Sequence, residues 1–185
     1  LIRLLNAHPQ VELSAIGSNS FVDKSITEVY PSVGIGNDMK CMKNEDVIKN
    51  SDLIFTALPH GVSEEFVLQA VKEGKKVVDL GADFRLKDET TFKEWYNVSF
   101  IDKKLHEEAV YGLCEHYKDE IKNAKVIANP GCYVTSISLP LMPLLKEKLI
   151  KKEGIVADSK SGVTGAGRGL TLLSHYPEIN ENMVP

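Results

Sequence analysis

Short apolar runs alternate with helical patterns along most of this chain, and that alternation limits the possible folds more than any other feature. Three apolar runs typical of strands in a parallel sheet lie at 52–58, 76–80 and 124–128. A helical pattern at 64–73 separates the first two, with Ser63 as a potential N-cap and Gly74 as its end. The alternation predicts a doubly wound, Rossmann-like α/β fold that binds ligands at the carboxyl ends of its strands.

Both ends of the sequence lack the elements that would complete them. Residues 1–7 fit the second half of a helix that ends before Pro9, and 11–20 fit an alternating strand. Together they form the back half of a βαβ unit, whose front half would be a strand and a Gly-rich dinucleotide-binding turn. We therefore predict two truncated domains, a dinucleotide-binding domain at 1–130 and the start of an α+β catalytic domain at 131–185.

Composition and cysteine usage argue against several classes of protein. The 185 residues are 43% hydrophobic and carry a net charge of -4, so no basic field favours nucleic acid or an anionic membrane. No apolar run reaches the ~18 residues that a membrane span needs. The cysteines are odd in number and far apart, which predicts a reducing, cytoplasmic compartment without disulfides or a zinc site. They are Cys41, Cys114 and Cys132.

One of these cysteines follows the turn that ends the strand at 124–128. Residues 129–131 form the turn, and a helical pattern begins near Tyr133, so Cys132 is expected at a helix N-terminus. Backbone N–H groups and the helix dipole there stabilise a thiolate, which is the nucleophilic form of cysteine. A buried, inert thiol is the usual fate of free cysteine, but this strand–turn–helix setting favours a nucleophile.

A Gly-rich, basic loop follows a further apolar run at 154–159, which we predict to be a strand. The loop at 160–168 contains three glycines, and its two cations, Lys160 and Arg168, are suited to phosphate or carboxylate. Taken alone, a flexible surface loop is an equally good interpretation. Between Cys132 and this strand, Pro140 and Pro143 should kink or end the helix.

Five motifs, taken in this order, resemble the N-acetyl-gamma-glutamyl-phosphate reductases of arginine biosynthesis. They are LPHGVS at 58–63, VDLGADFRL at 78–86, VYGLCE at 110–115, NPGCYVT at 129–135 and DSKSGVTGAGR at 158–168. The resemblance covers nearly the whole chain. Aspartate-semialdehyde dehydrogenase is related to this family, but it carries a different sequence around its cysteine.

The resemblance implies an enzyme that reduces N-acetyl-L-glutamyl 5-phosphate to the 5-semialdehyde with NADPH and releases phosphate. Cys132 would form a thioester with the acyl group, and a histidine would act as general acid and base. That histidine is expected beyond Pro185, and His175 is not assigned the role. His106 and His116 lie in polar helical patterns and are expected at the surface. NADP(H) as cofactor and a homo-oligomer, either dimer or tetramer, are also implied.

The loops and motifs supply the remaining predicted site residues. The predicted cofactor contacts are Ser18, Ser20, Pro59, His60, Gly61, Ser161, Gly162 and Gly165. The predicted substrate contacts are Arg85, Asn129, Lys160 and Arg168. For Arg85, a structural ion pair with Asp83 or Asp88 is an equal alternative. In the loop after the strand at 11–20, where an acidic residue would hold the ribose of NAD, no acidic residue stands before Asp23. This favours NADP. Relatives often carry an arginine in this loop, however, and Asn19 stands in its place.

Three alternatives to this function remain at the level of sequence. A lysine-pathway homologue would use the same mechanism on an acyl phosphate one carbon longer, and pocket size would distinguish it. A dinucleotide-binding regulator without turnover would not need a reactive Cys132. A zinc ligand at Cys132 is disfavoured because no His or Cys lies at short ligand spacing.

Overall fold

The computed structural model of the chain describes residues 1–34, 39–167, 169 and 171–179. It divides into two compact units, residues 1–131 and 132–185. Each unit is described by itself. None of the helices in the described ranges is long and apolar enough to cross a bilayer.

The first unit alternates helices and strands along most of its length, with two consecutive helices before its fifth strand. Its helices are α1 (Ile2–Asn6), α2 (Ile26–Val29), α3 (Asn44–Lys49), α4 (Ser63–Lys72), α5 (Glu89–Tyr96), α6 (Lys103–Glu108) and α7 (Lys118–Asn123). Its strands are β1 (Ile16–Gly17), β2 (Cys41–Met42), β3 (Leu53–Thr56), β4 (Lys76–Asp79), β5 (Val110–Tyr111) and β6 (Val126–Ala128). A 3-10 helix spans Pro31–Val33.

All the described strands pair in parallel, as the predicted fold requires. β1 and β2 form a two-stranded sheet, and the other four form a sheet in the order β3-β4-β6-β5. Asp79 is in register with Thr56 on one side and with Ala128 on the other. The strands predicted at 52–58, 76–80 and 124–128 are therefore present, and the α/β class is confirmed.

Helix α4 illustrates how the sequence fixes these elements. Its buried positions include Val67 and Ala70, which are three residues apart and face the core. Gly74 adopts φ +78, and the N–H of Lys75 donates to the carbonyl of Ala70, so glycine ends this helix as predicted. The core that α4 covers consists of Val47, Ile48, Ile54, Val67, Ala70, Val77, Phe84, Leu105, Ala109, Val126 and Ala128.

Several details differ from the sequence predictions. The N-cap of α4 is Val62, because the backbone N–H and hydroxyl of Ser63 donate instead to a carboxylate elsewhere in the chain. The strand predicted at 11–20 is reduced to Ile16–Gly17. β3 is buried along one face only, since Ile54 and Thr56 are buried while Leu53 is 43% exposed.

A cavity of about 890 Å³ lies within the first unit. Its lining includes residues 10–18, which contain β1, and residues 50–58, which contain β3. These two strands belong to different sheets, and each pairs on one side only among the described strands. The cavity is therefore bordered by one strand from each of the two sheets.

The regular secondary structure in the described part of the second unit is helical. It contains α8 (Cys132–Lys146), α9 (Tyr176–Ile179) and 3-10 helices at Val163–Ala166 and Leu172–Ser174. Pro140 and Pro143 lie inside α8, so neither proline ends the helix. The strand predicted at 154–159 does not form, and Val156 is 90% exposed. A strand needs a hydrogen-bonded neighbour, and the described part of this unit offers none.

Candidate active site

The first unit brings three of the predicted loops to one edge of its larger sheet. Because β3, β4 and β6 are parallel neighbours, their carboxyl ends lie side by side. The loop at 57–62 follows β3, the loop at 80–85 follows β4, and the turn at 129–131 follows β6. The loop after β4 lies between the other two.

The loop after β3 carries three predicted cofactor contacts on the surface. Pro59, His60 and Gly61 are all exposed, and the His60 ring lies 5.6 Å from that of Tyr96, centroid to centroid. Gly61 has φ +77, and a Cβ there would meet Cγ2 of Val98 at 3.0 Å. This position requires glycine, and the exposed backbone lets a flat ligand approach closely.

The conformation of this loop depends on one buried carboxylate in the next loop. Asp83 is 1% exposed, and its Oδ1 accepts the N–H of Gly61 at 2.7 Å. Its Oδ2 accepts the N–H of Ser63 at 3.2 Å and the hydroxyl of Ser63 at 3.0 Å. Asp83 thus supplies the acceptor that an N-cap side chain would otherwise offer to α4.

Arg85 contacts main-chain carbonyls. Its Nε donates to the carbonyl of Asn129 at 2.8 Å, and its Nη2 donates to the carbonyl of Leu80 at 2.9 Å. Among the described residues it forms no ion pair with Asp83 or Asp88, so the alternative of a structural ion pair is wrong. The side chain instead joins the ends of two neighbouring strands.

The turn after β6 is held by the backbone as well as by Arg85. The N–H of Asn129 donates to the carbonyl of Asp79 at 2.8 Å, which extends the β4–β6 pairing by one residue. The Asn129 side-chain amide donates to the carbonyl of Pro130 at 3.1 Å. A Cβ at Gly131 would lie 3.3 Å from Nη1 of Arg85, so glycine lets the guanidinium approach the turn.

Asp79 is a second buried carboxylate at this edge. Its Oδ1 accepts the hydroxyl of Thr56 at 2.6 Å and the N–H of Gly81 at 3.2 Å. Its Oδ2 has no hydrogen-bond partner among the described residues. Burial raises the pKa of this carboxyl, the negative charge of nearby Asp83 adds to the rise, and the bonds from Thr56 and Gly81 oppose it.

Cys132 is the first residue of α8, as its sequence setting predicted, and the structure shows that it is exposed. The helix has 15 residues, and Tyr133 beside the cysteine is also exposed. The thiol is free, as are those of Cys41 and Cys114. An exposed thiol at a helix N-terminus is accessible to a small electrophile and lies at the positive end of the helix dipole.

The Gly-rich loop of the second unit is exposed and makes local contacts. Lys160 pairs with Asp158 at 2.6 Å, with both side chains more than half exposed. The hydroxyl of Ser161 donates to the carbonyl of Gly162 at 3.1 Å, and a Cβ at Gly165 would clash with that hydroxyl. The remaining predicted contact in this loop, Arg168, lies outside the described residues.

Ser18 and Ser20 lie after β1, which belongs to the smaller sheet. The N–H of Ser18 donates to the carbonyl of Met42 at 3.1 Å, and Ser18 borders the cavity. Ser20 is exposed. No carboxylate stands between Ser18 and Asp23.

Two histidines differ in their surroundings. His116 is exposed as predicted, but His106 is completely buried, so the prediction of a surface position for it is wrong. Its ring is stacked on Phe100 and lies against Phe84. No three His, Cys, Asp or Glu side chains in the described ranges are close enough together to hold a metal ion.

Family comparisons match the chain almost from end to end. Residues 1–124 match the family described as semialdehyde dehydrogenase, NAD binding domain. The chain belongs to the semialdehyde dehydrogenase family. Residues 132–185 match the semialdehyde dehydrogenase, dimerisation domain. The residues between the two matches, 125–131, contain β6 and the turn that precedes Cys132.

Individual semialdehyde dehydrogenase relatives resemble the chain closely. It is 49% identical over 185 residues to a protein from Clostridium beijerinckii named N-acetyl-gamma-glutamyl-phosphate reductase, covering 100% of this chain and 54% of the relative. A protein of that name from Pelotomaculum thermopropionicum is 48% identical over 184 residues, covering 98% and 53%. The chain thus spans about half the length of the curated relatives it matches.

A solved structure of this family agrees in fold. Aspartate semialdehyde dehydrogenase with NADP from Candida albicans gives a TM-score of 0.56 at 18% identity. The match covers 79% of this chain and 42% of that one. At this identity the likeness concerns the fold alone.

Sequence reasoning missed the two buried carboxylates as organisers of the site. Asp79 ends an apolar strand, and a charged residue in such a position is a usable signal because burial of an unpaired charge is costly. The position of Asp83 beside Phe84 and Arg85 pointed to the active-site edge, but nothing in the sequence indicated its partners Gly61 and Ser63.

Proposed function

We propose that this protein is an NADPH-dependent reductase of N-acetyl-L-glutamyl 5-phosphate, acting in arginine biosynthesis. One observation carries the proposal: close to half of all residues are identical, along the whole chain, to relatives that bear this name. The exposed thiol of Cys132 at the start of α8 supports it, because the reaction needs an accessible nucleophile.

Cys132 performs the covalent chemistry in this proposal. Its sulfur bonds to the acyl carbon as the bond from that carbon to phosphate oxygen breaks, and phosphate leaves with the electron pair. Backbone N–H groups near the start of α8 would stabilise the negative charge on the carbonyl oxygen. After reduction, the carbon–sulfur bond breaks, the aldehyde departs, and Cys132 recovers its thiolate.

NADPH, when bound, supplies the hydride that reduces the thioester. We assign its binding to Pro59, His60 and Gly61, together with Ser18 and Ser20 and, in the second unit, Ser161, Gly162 and Gly165. The exposed loop after β3, with a glycine at φ +77 and no Cβ, is suited to such a ligand. The lack of a carboxylate between Ser18 and Asp23 favours the 2′-phosphate of NADP over NAD.

Substrate recognition and assembly complete the proposal. Lys160 and Arg168 carry the charge that an acyl phosphate requires, and Asn129 lies in the turn before the nucleophile. The dimerisation-domain match favours a homo-oligomer, and so do exposed apolar side chains of α8 such as Val134 and Leu144. Three free thiols fit a reducing, cytoplasmic compartment.

The reverse reaction of the complete gene product tests the function. N-acetylglutamate semialdehyde, phosphate and either NADP or NAD are mixed with enzyme, and the absorbance of the reduced cofactor is followed. We expect turnover that requires phosphate, prefers NADP and disappears in Cys132→Ala. Cys114→Ala is the matched control, because that thiol is also exposed and should leave turnover unchanged.

Other outcomes identify the alternatives. Turnover with only the one-carbon-longer aldehyde would assign the protein to the lysine pathway. If the protein turns over neither aldehyde but binds the cofactor, a dinucleotide-binding regulator would be favoured. Turnover that survives in Cys132→Ala would overturn the thioester mechanism.

A further inference from the structure

The loop after β4 makes hydrogen bonds to the loops on both sides of it. Asp83 accepts three of these bonds, from the N–H of Gly61 and from the N–H and hydroxyl of Ser63. Gly61 lies beside His60 in the exposed loop, whereas Ser63 and Asp83 are buried. Water cannot readily replace a buried acceptor, so the backbone at Gly61 and Ser63 depends on this carboxylate.

Arg85, two residues further along, makes the equivalent contact on the other side. Its Nε reaches the carbonyl of Asn129 at 2.8 Å, while Nη2 is held by Leu80 in its own loop. Gly131 leaves room for the guanidinium, and the next residue in the chain is Cys132. Because the guanidinium is planar and donates through two nitrogens at once, it fixes the direction of the turn as well as the distance between the turn and the loop after β4.

These contacts separate into two independent arms. The Asp83 arm acts on the loop after β3, and the Arg85 arm acts on the turn after β6. Both start from one short segment, residues 80–85, at the end of β4, the strand that lies between β3 and β6. A rigid segment in that position would set both neighbouring loops from one reference point, as a positioning element must.

We propose that Asp83 and Arg85 are positioning residues, Asp83 for the cofactor loop and Arg85 for the turn that precedes the nucleophile. The proposal rests on the function proposed above, in which residues 59–61 contact NADPH and Cys132 attacks the substrate. Neither side chain needs to touch a reacting atom. Asp83 controls how well the cofactor binds, and Arg85 controls how readily Cys132 reacts.

The two arms can be tested separately in the complete enzyme. Asp83→Asn keeps the size of the side chain but turns an N–H₂ group toward one of the donors. It should weaken NADPH binding, measured by fluorescence titration, about tenfold, with little change in the rate of Cys132 alkylation by iodoacetamide. Arg85→Lys keeps the charge but loses the second prong. It should slow alkylation about fivefold and leave NADPH affinity within about twofold.

Control variants come from the same stretch of chain. Asp88→Asn and Lys87→Gln change exposed residues that contact neither loop, so both quantities should stay at the wild-type level. Ser63→Ala removes a single hydroxyl donor and should weaken NADPH binding less than Asp83→Asn does. It keeps the Asp83 arm testable if Asp83→Asn does not fold.

The pattern of effects decides the proposal. A purely structural role would lower the melting temperature and the active fraction while leaving both NADPH affinity and the alkylation rate of the folded enzyme unchanged, which would overturn it. Equal changes of both quantities in both variants would also overturn it. Neither measurement needs turnover. If Asp83→Asn changes only NADPH affinity and Arg85→Lys changes only the alkylation rate, the positioning roles are retained even when the enzyme fails to reduce the acyl phosphate. That failure would reject the proposed reductase function alone.

Discussion

Nε2 of His106 lies 3.1 Å from Oε1 of Glu64, and both side chains are buried, His106 completely. The pair is within ion-pair distance but outside hydrogen-bond geometry. The same Oε1 accepts the N–H groups of Ile101 at 2.8 Å and Asp102 at 2.7 Å. A single carboxylate oxygen therefore joins α4, the chain at 101–102, and α6.

Loss of that oxygen should be costly. Glu64→Ala in the complete protein should lower the free energy of unfolding by about 3 kcal/mol, because two partly buried N–H donors lose their common acceptor and buried His106 loses its only charged neighbour of opposite sign at ion-pair distance among the described residues. Glu64→Gln retains a carbonyl oxygen and should lose about 1 kcal/mol. Urea unfolding followed by circular dichroism checks both values. The neighbouring exposed Glu65→Ala should change the value by less than about 0.5 kcal/mol, and an equal loss there would contradict the assignment.

Asp79 should make stability depend on pH in an unusual direction. Burial raises the pKa of the folded carboxyl above its ordinary 3.8, so the folded state holds the proton more tightly than the unfolded state. The contribution of Asp79 to the free energy of unfolding is complete below pH 3.8, the ordinary pKa of the carboxyl. It is lost as the pH rises through the higher pKa of the folded state. Asp79→Asn does not titrate. Its stability relative to wild type should therefore increase as the pH is raised from about 4, and then level off.

Asp88 provides a control of opposite sign for that experiment. The hydroxyl of Thr91 and then its N–H donate to this exposed carboxylate and lower its pKa. Its contribution is present above the unfolded value and is lost as pH falls through the folded pKa. The stability of Asp88→Asn relative to wild type should therefore increase as the pH is lowered. Parallel curves for Asp79→Asn and Asp88→Asn would refute the assignment of Asp79.

Gly17 should resist enlargement because α3 packs directly on β1. A Cβ at Gly17 would lie 2.9 Å from Cγ2 of Val47 and 3.2 Å from Oδ1 of Asn44. Gly17→Ala should cost about 2 kcal/mol in the free energy of unfolding. Combined with Val47→Ala, which removes the nearest methyl, it should cost about 1 kcal/mol less than the sum of the single changes. Strict additivity would mean that the contact does not matter. Gly169→Ala is the neutral control, because a Cβ there would meet no atom of the described residues within 4 Å.

Gly61 and Gly74 allow backbone strain to be separated from function. Both have positive φ, +77 and +78, so either Gly→Ala change should cost about 1 kcal/mol of stability. A Cβ at Gly61 would also press on Val98, whereas a Cβ at Gly74 would have no atom of the described residues within 4 Å. Only Gly61→Ala should raise the KM for NADPH, by about tenfold, because only that loop is assigned to the cofactor. A KM equal to that of Gly74→Ala would remove the loop from the cofactor site.

The sequence was a good guide where burial has a clear period. The apolar runs at 52–58 and 124–128 predicted β3 and β6, and Gly74 marked the end of α4, since these signals depend on local chemistry. The setting of Cys132 was equally local, because a turn and a helical pattern flank it. The individual contacts of the site residues with ligands stay predictions.

Features decided by distant partners could not be predicted. His106 lies in a polar sequence pattern, yet it is buried between the carboxylate of Glu64 and the stacked ring of Phe100. Ser63 has the residue type of an N-cap, but its hydroxyl donates to Asp83, a partner 20 residues away in the sequence. The run at 154–159 has the composition of a strand, but a strand forms only with a neighbour to pair with.

The order β3-β4-β6-β5 has a consequence for synthesis on the ribosome. β5 is translated before β6 and, among the described strands, pairs only with β6, so Val110–Tyr111 leaves the ribosome before its neighbour does. Translation of the stretch from Gly112 to Ala128 takes roughly 1–3 s. Throughout that interval β4 keeps one open edge that the early strand could occupy in place of β6. A pause in translation while β5 is outside the ribosome and β6 is still inside it would prolong the exposure and favour a sheet in which β5 and β6 have exchanged places.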